Sequence, residues 1–323
     1  MNSISRRTFL AVSAGAAALA LTACGGSGSS DASGDKTYKI GVLQLTQHAA
    51  LDAANEGFVE ALDASGIKYT VDQQNANNDQ SACATIASKL VGDGDDLIFA
   101  IATPAAQAVA AATSDIPIVG SAITDYAASG LVADNDKPGG NLTGTSDMNP
   151  VDDQIAMLQK VLPEAKHIGM LYCTAESNSQ LQIEMAEAAC DKAGLTTERF
   201  TVSSSNEIQS VVESMVGKVD AGYSPTDNTI AAAAAQVGQI AKEGKLPFIT
   251  GEENMCMGMG ICTVSIDYKE LGKMAGEMAV KILKGEDTPA NIAIETEAGD
   301  QLQTIKNEEM AEALGIDLSV LDA

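Results

Sequence analysis

The regular alternation of β-prone and helix-prone segments restricts the fold of this chain more than any other feature. A strand is predicted at 39–44, and a helix at 48–65 follows it, because apolar residues recur there at helical spacing up to Gly66. Alternating helices and nearly continuous apolar strands favour a parallel sheet covered by helices on both faces. Further strands are predicted at 67–73, 96–101 and 116–119, and further helices at 79–91 and 104–113.

The same alternation restarts after Pro150 and predicts a second unit of the same kind. The turn-rich segment 138–147 separates the two units, as a hinge would. The predicted fold is therefore α/β, with two doubly wound parallel-sheet lobes joined by a hinge. In the second unit, helices are predicted at 151–162, 178–193, 206–217 and 227–243, and strands at 166–172, 196–202, 219–223 and 246–250.

The N-terminal segment has the pattern of an export signal. Two arginines, an apolar stretch and small residues lead up to Cys24, which predicts a signal peptide at 1–23 and a lipid anchor on the Cys24 thiol. Ser5-Arg-Arg-Thr-Phe-Leu10 also resembles a twin-arginine signal, so that route and the general secretory route both stay open. We expect residues 24–37 to form a flexible linker. We expect a protein tethered to the outer face of the cell membrane, because no later apolar run is long enough to span a bilayer.

The net charge excludes several classes of partner. It is −25, and removal of residues 1–23 takes away two arginines and lowers it to about −27. A chain this acidic repels nucleic acid and anionic lipid headgroups, so neither is expected as a partner. The aromatic content of 3%, with no Trp, also disfavours a sugar site built from stacked rings.

The cysteines leave the redox state open. An odd number after Cys24 means at least one free thiol in an exported chain, and the spacing matches no zinc pattern. Cys256 with Cys262 and Cys173 with Cys190 could form disulfides, and free thiols throughout are an equal alternative. The five are Cys83, Cys173, Cys190, Cys256 and Cys262.

Small polar side chains follow one predicted strand after another. In such sheets, ligands bind beyond the carboxyl ends of the strands, and hydroxyl, amide and carboxylate groups suit a cleft for a small polar molecule. We expect these residues to face the cleft from both lobes. The candidates in the first lobe are His48, Thr103, Thr124 and Asp125, and those in the second are Tyr172, Glu176, Asn178, Ser179, Asp227, Asn228 and Glu253.

Three candidates have a competing structural interpretation. Thr103 precedes Pro104 where free N–H groups would bind a ligand carboxylate, but Thr103 could also be only the helix N-cap. Asp227 could pair with a ligand ammonium, or it could only complement the helix dipole. For His48 we expect a cap or a hydrogen bond in the cleft rather than catalysis, because no nucleophile–base pattern accompanies it.

Seven ordered stretches along nearly the whole mature chain resemble one family. The resemblance is to the type I periplasmic-binding-protein fold, and more narrowly to the ABC-importer substrate-binding lipoproteins labelled as tryptophan/tyrosine transport components. Members usually have Pro where this chain has Ala49 and Tyr126. The stretches are Gln-His-Ala-Ala-Leu-Asp (47–52), Gln-Asn-Ala (74–76), Ala-Thr-Pro-Ala-Ala-Gln (102–107), Pro-Gly-Gly-Asn-Leu-Thr-Gly-Thr-Ser-Asp (138–147), Tyr-Cys-Thr-Ala-Glu-Ser-Asn-Ser (172–179), Pro-Thr-Asp-Asn (225–228) and Asp-Tyr-Lys-Glu-Leu-Gly (267–272).

The resemblance implies a function and a division of the chain. The function is that of a monomeric, lipid-anchored receptor that captures a small amino-acid-like solute, with aromatic amino acids as the family's ligands, and delivers it to an ABC permease. The lobes close on the solute, and Asp267 lies near the hinge and the cleft. Lobe one would comprise 38–146 and 266–294, and lobe two 147–265 and 295–323, with crossings near Thr145, Ser265 and residue 295.

The Met- and Cys-rich stretch 253–262 allows a hypothesis from another class. Thioether and thiolate groups select Cu(I), so residues 255–262 could belong to a lipid-anchored copper or redox protein. We expect instead that this stretch enters the strand at 261–266 in extended form, and that its side chains line or underlie the cleft. A sensor receptor of the same fold is a third hypothesis. Because the sequence contains no catalytic motif, we expect no enzyme, no cofactor and no resident metal.

Overall fold

Two separate β-sheets organise the computed structural model, which describes residues 36–322. The strands of the first sheet are β1 (Thr37–Gln44), β2 (Lys68–Asn75), β3 (Leu97–Ile101), β4 (Ile118–Ile123) and β5 (Leu142–Ser146). Their order is β2-β1-β3-β4-β5, and every pair of neighbours is parallel. The inner strands β3 and β4 are buried throughout, which is why their sequences are nearly continuous apolar runs.

The second sheet has an antiparallel edge. Its strands are β6 (His167–Cys173), β7 (Thr196–Val202), β8 (Ala221–Ser224), β9 (Phe248–Thr250), β10 (Cys262–Ser265) and β11 (Gln303–Lys306). Their order is β11-β10-β9-β8-β6-β7, and only β11 runs antiparallel to its neighbour. The prediction of two α/β lobes built on parallel sheets is confirmed. The edge strand β11 was not predicted, because it is short and none of its residues is fully buried.

The helices that the sequence predicted lie close to their predicted positions, with one exception, and those at 268–283 and 308–314 were not predicted. The helix predicted at 227–243 is two helices, separated by a tight turn that ends at Ala233. A helix also occupies 253–259, where extended chain was expected. The helices are α1 (Ala49–Ser65), α2 (Gln80–Asp93), α3 (Thr103–Ala112), α4 (Val151–Val161), α5 (Ser177–Lys192), α6 (Ile208–Met215), α7 (Asn228–Ala231), α8 (Ala234–Gly244), α9 (Glu253–Met259), α10 (Tyr268–Leu283) and α11 (Glu308–Leu314).

Helix α10 packs along α1 on the first sheet, although it comes from a late part of the chain. Two glycines allow the two helix backbones to approach closely. A Cβ atom at Gly272 would lie 1.9 Å from the carbonyl oxygen of Ala54, and one at Gly57 would lie 2.0 Å from that of Lys269. Since real Cβ atoms do not come this close to a backbone oxygen, both positions require glycine.

The chain passes between the lobes at three places, and hydrogen bonds join these passages. Glu295 forms a β-bridge with Thr145 at the end of β5. The amide of Ile266 donates to Asn149 Oδ1 at 3.0 Å, and the amide of Asp267 donates to Glu297 Oε2 at 2.7 Å. The three connections therefore lie side by side.

The predicted signal peptide at 1–23, Cys24 and the first part of the linker at 24–37 lie outside the described residues. The first described strand, β1, begins at Thr37, next to Tyr38, where the folded part was predicted to start. Among residues 36–322, no helix combines the length and the apolar character needed to cross a membrane.

We predict that Gly272→Ala destabilises the protein, because its methyl group would force α10 away from α1. Overpacking of this kind costs about 1–3 kcal/mol. Gly92→Ala is the matched control, since Gly92 lies in α2 with open space around it. Alanine there should raise the free energy of unfolding by about 0.5–1 kcal/mol. Urea unfolding of both variants measures the difference. Equal stability of Gly272→Ala and the wild type would contradict the packing described here.

Candidate functional site

A small cavity lies between the two lobes, beyond the carboxyl ends of their strands. Both lobes enclose it, so its shape depends on how they are placed. A wider groove runs between α1 and α10, but it lies on the outer surface and away from the strand ends. The cavity is lined by His48, Ala50, Leu51, Ala122, Asp147, Asn178, Thr226, Asp227, Asn228, Ala231, Glu252, Met255 and Tyr268.

Part of the cavity wall is apolar. Its apolar side chains are small or flexible, and they come from α1, from the end of β4, from α7 and from α9. Ala122 has a φ of +56°, a backbone conformation that costs about 1–2 kcal/mol for a residue other than glycine. The apolar residues are Ala50, Leu51, Ala122, Ala231 and Met255.

Asp147 is a buried carboxyl group with one unpartnered oxygen. It directly follows β5, and its Oδ2 accepts a hydrogen bond of 2.8 Å from the hydroxyl of Tyr268 at the start of α10. Its Oδ1 has no hydrogen-bond partner among the described residues. Burial raises the pKa of Asp147 to about 6, because the charged form is poorly solvated there.

Two further carboxyl groups in the cavity wall serve as helix N-caps. Glu252 accepts from the amides of Asn254 and Met255, both at 2.6 Å, and so begins α9. Asp227 begins α7 by accepting from the amide of Ile230 at 2.9 Å. Burial raises the pKa of Glu252 to about 7 and also raises the pKa of Asp227. For Asp227, the nearby Glu176 adds to the increase.

Glu176 lies behind the cavity and holds the start of α7 in place. Its Oε1 accepts from the amide and the hydroxyl of Thr229, at 2.9 and 2.8 Å. Its Oε2 accepts from the amide and the side-chain amide of Asn228, at 3.1 and 2.6 Å. Four hydrogen bonds therefore fix the loop after β6 to the first turn of α7.

Hydrogen bonds join the lobes across the cleft. His48 Nε2 lies 3.1 Å from Asn228 Oδ1, next to the cavity. The Nδ1 atom of His48 is buried and has no partner among the described residues, and burial lowers the pKa of the ring. Three more interlobe bonds run from Asn78 Nδ2 to Thr229 Oγ1 at 2.9 Å, from Gln80 Nε2 to the Ala175 carbonyl at 2.9 Å, and from Gln182 Nε2 to Thr124 Oγ1 at 3.3 Å.

The structure brings some of the sequence-predicted residues together around the cavity and leaves others away from it. Four of them line it: His48, Asn178, Asp227 and Asn228. Thr124, Glu176 and Ser179 are buried among the polar groups that support the wall. Thr103 is also buried at the start of α3, but it is the first helical residue rather than the N-cap, and its hydroxyl has no partner among residues 36–322.

Four predicted residues lie outside the cavity wall. Asp125 accepts from the amide of Ala128 and from Asn135 within its own loop. Tyr172 packs in the core of the second lobe, with its hydroxyl 3.4 Å from Arg199. Glu253 and Asp267 are exposed, and Asp267 is the N-cap of α10.

The sequence analysis missed four polar wall residues, Asp147, Thr226, Glu252 and Tyr268, as well as the apolar wall residues other than Met255. Glu252 and Tyr268 are the immediate neighbours of the predicted Glu253 and Asp267. N-cap preferences give no signal for Glu252, because they favour Ser, Thr, Asp and Asn rather than Glu. Asp147 lies at the end of the segment interpreted as the hinge.

The three methionines of the Met- and Cys-rich stretch do not converge on one point. The expectation of extended chain at 255–260 was wrong, because Glu252 caps a helix there. Met255 lines the cavity, Met259 packs in the core, and 55% of Met257 is exposed. All five cysteines in the described part of the chain are buried free thiols. Within residues 36–322, no group of three or more His, Cys, Asp or Glu side chains is arranged to hold a metal ion.

Comparisons with known proteins agree in family and fold. The sequence model described as ABC transporter substrate binding protein matches residues 39–320. The chain is 39% identical over 300 residues to a tyrosine-binding protein of Clostridioides difficile strain R20291, covering 88% of this chain and 87% of that one.

Two solved structures are also similar. One is the ABC domain of Streptococcus pneumoniae in complex with L-Trp, with a TM-score of 0.85 and 41% identity, covering 89% of this chain and 98% of that one. The other is a ligand-free, open substrate binding protein with adhesive properties from Clostridium difficile, with a TM-score of 0.66 and 42% identity, covering 87% and 95%. At nearly equal identity, the arrangement described here is more similar to the L-Trp complex.

We predict that Asp147→Asn flattens the pH dependence of stability. The folded protein keeps the Asp147 proton up to about pH 6, whereas an unshifted carboxyl loses it near 3.8. Between these values the folded state binds more protons, so the free energy of unfolding falls as the pH rises, by up to about 1.4 kcal/mol per pH unit for this group.

Urea unfolding at several pH values across this window measures the slope. The exposed Asp191 on α5 supplies a matched control, because Asp191→Asn should keep the wild-type slope. Indistinguishable slopes for the wild type and Asp147→Asn would show that Asp147 titrates normally.

Proposed function

Since the chain belongs to the family of ABC transporter substrate-binding proteins, we propose that it captures tyrosine or tryptophan outside the cytoplasm and delivers it to an ABC permease. The observation that carries this proposal is that the cavity has buried hydrogen-bond acceptors without donors to match them. Asp147 Oδ1 and Asn178 Oδ1 are buried and unpartnered, and no Lys or Arg lines the cavity in the described part of the chain. A ligand ammonium supplies both the positive charge and the missing donors.

The other groups of an aromatic amino acid also have counterparts in the cavity. The start of α1 lacks a side-chain cap, so the first amides of that helix, including those of Ala50 and Leu51, are free to bind the ligand carboxylate. The aromatic ring lies against the apolar wall, where Met255 adapts to its shape. Both parts of the ligand are thereby bound without a cationic side chain.

Closure of the lobes around the ligand is the proposed mechanism of capture. Lobe one is assigned to 38–146 with 266–294, and lobe two to 147–265 with 295–323, so that the three side-by-side connections act as the hinge. The interlobe hydrogen bonds of His48, Asn78 and Gln182 exist only when the lobes approach. A ligand that contacts both lobes favours the closed state by its difference in affinity for the two states. The closed monomer then docks on the permease.

We predict that the mature chain, residues 24–323, binds L-tyrosine or L-tryptophan but not sugars. The chain contains no Trp, so the fluorescence of bound L-tryptophan can be measured without background from protein tryptophan. Asp147→Asn should weaken binding about ten- to hundredfold, because a charge-assisted hydrogen bond to the ammonium is lost. Asp125→Asn is the matched control outside the cavity and should bind like the wild type. Failure of every amino acid to bind would exclude this function.

We also propose that Cys24 is acylated and that residues 25–36 tether the folded part to the membrane. Cys24→Ser should release the protein from the membrane fraction and abolish metabolic labelling with a palmitate analogue. Cys83→Ser, which changes a buried thiol of the folded part, should still sediment with membranes and should still be labelled. If Cys24→Ser is still labelled and still sediments with membranes, the anchor is elsewhere.

A further inference from the structure

We propose that His48 determines which aromatic ligands are accepted: held in one tautomer by Asn228 and Glu176, it accepts a hydrogen bond from a donor on the ligand's ring. This inference rests on the proposed function and names its ligand class more narrowly. The class comprises amino acids whose aromatic ring carries an O–H or N–H group, as in tyrosine and tryptophan, and it excludes phenylalanine.

The argument begins at Glu176, whose carboxylate fixes the orientation of the Asn228 side chain. Glu176 Oε2 accepts from the backbone amide of Asn228, so it acts as an acceptor at this position. The side-chain amide of Asn228 contacts the same oxygen at 2.6 Å and must therefore present its NH₂ group. The reversed orientation would place the amide oxygen against the carboxylate oxygen, where two acceptors repel.

This orientation fixes the tautomer of His48. Asn228 Oδ1 then faces His48 Nε2 at 3.1 Å, and an amide oxygen can only accept. Nε2 must carry the hydrogen. The ring is neutral because burial lowers its pKa, so the other nitrogen, Nδ1, bears a lone pair. Nδ1 is consequently an acceptor.

The remaining unpartnered side-chain atoms of the cavity wall are acceptors as well. The Nδ2 group of Asn178 donates to the carbonyl oxygen of Thr226 at 3.1 Å, which leaves Asn178 Oδ1 as an acceptor. Asp147 Oδ1 and His48 Nδ1 complete the set, and none of the three has a partner among residues 36–322. The wall therefore offers three acceptors, which match in number either the three N–H groups of one ammonium or an ammonium together with a donor on the ring.

Charge decides how the donors are distributed. The ammonium binds at Asp147, because a hydrogen bond between two ions is about twice as strong as one between neutral groups. His48 is neutral, so its Nδ1 takes the uncharged donor on the ring rather than the ammonium. A ring O–H or N–H satisfies Nδ1, whereas the phenyl ring of phenylalanine leaves it buried and unpaired. Such an unpaired group weakens binding about ten- to hundredfold.

Affinities of the mature chain, residues 24–323, for L-tyrosine, L-tryptophan and L-phenylalanine test the inference. The wild type should prefer tyrosine or tryptophan to phenylalanine about ten- to hundredfold. In His48→Leu this ratio should fall to about one, because the acceptor is gone. His167→Leu is the matched control, since His167 lies on β6 beside Thr196 and Glu198, away from the cavity. It should keep the wild-type ratio.

A second measurement reports the tautomer directly. The chain has two histidines, so nitrogen-15 labelling of histidine gives spectra of two rings only. In the complex with L-tyrosine, His48 should carry its hydrogen on Nε2, and its Nδ1 resonance should show a hydrogen-bonded acceptor. In the complex with L-phenylalanine, Nδ1 should resonate as a free acceptor. Asn228→Leu should release the ring from the single tautomer.

The outcomes separate this inference from the proposed function. Equal affinity for tyrosine, tryptophan and phenylalanine, or a hydrogen on Nδ1 in the tyrosine complex, would overturn the role of His48 and leave amino-acid binding intact. Absence of binding for all three amino acids would overturn the proposed function, and the inference with it. A preference that survives in His48→Leu would assign ring recognition to another residue.

Discussion

The site depends on one buried carboxylate, Glu176, whose hydrogen-bond partners among the described residues all lie in the second lobe. Its two oxygens accept four hydrogen bonds from the first two residues of α7. Such a group is stable in the interior only when all its lone pairs are used, because a buried charge without partners costs several kcal/mol. The carboxylate thus holds two loops of the second lobe in one arrangement. It also aims the oxygen of Asn228 across the cleft at His48.

The cavity wall, by contrast, is incomplete as a hydrogen-bonding system. Three of its side-chain acceptors are buried without a partner among the described residues, and burial raises the pKa of Asp147, Glu252 and Asp227. Each of these features costs stability, since a desolvated carboxyl and an unpaired acceptor are both unfavourable. A ligand with several donors and a positive charge removes these costs. The destabilised wall is therefore a source of binding free energy rather than a defect of folding.

The sequence predicted the architecture better than the cavity wall, and the difference has a physical reason. Alternation of apolar strands and amphipathic helices reports the core, which is formed by many residues acting together. A strand end shows where a cleft lies but not which of two adjacent residues faces it. For this reason Glu253 was predicted where Glu252 lines the cavity, and Asp267 was predicted where Tyr268 does. The periodic pattern also carried no signal for the break between α7 and α8, because the residues there are alanines.

The position of Asp147 shows why a ligand ammonium would favour closure. Asp147 follows the predicted end of lobe one, yet its amide donates to the Ile123 carbonyl and its carboxyl accepts from Tyr268, so its contacts are with that lobe. Asn178, which offers the other free oxygen, belongs to α5 of the second lobe. An ammonium that binds both oxygens must draw the two lobes together, whereas in an open cleft it could bind only one of them. The second hydrogen bond forms only in the closed state, so its whole free energy shifts the equilibrium from open to closed.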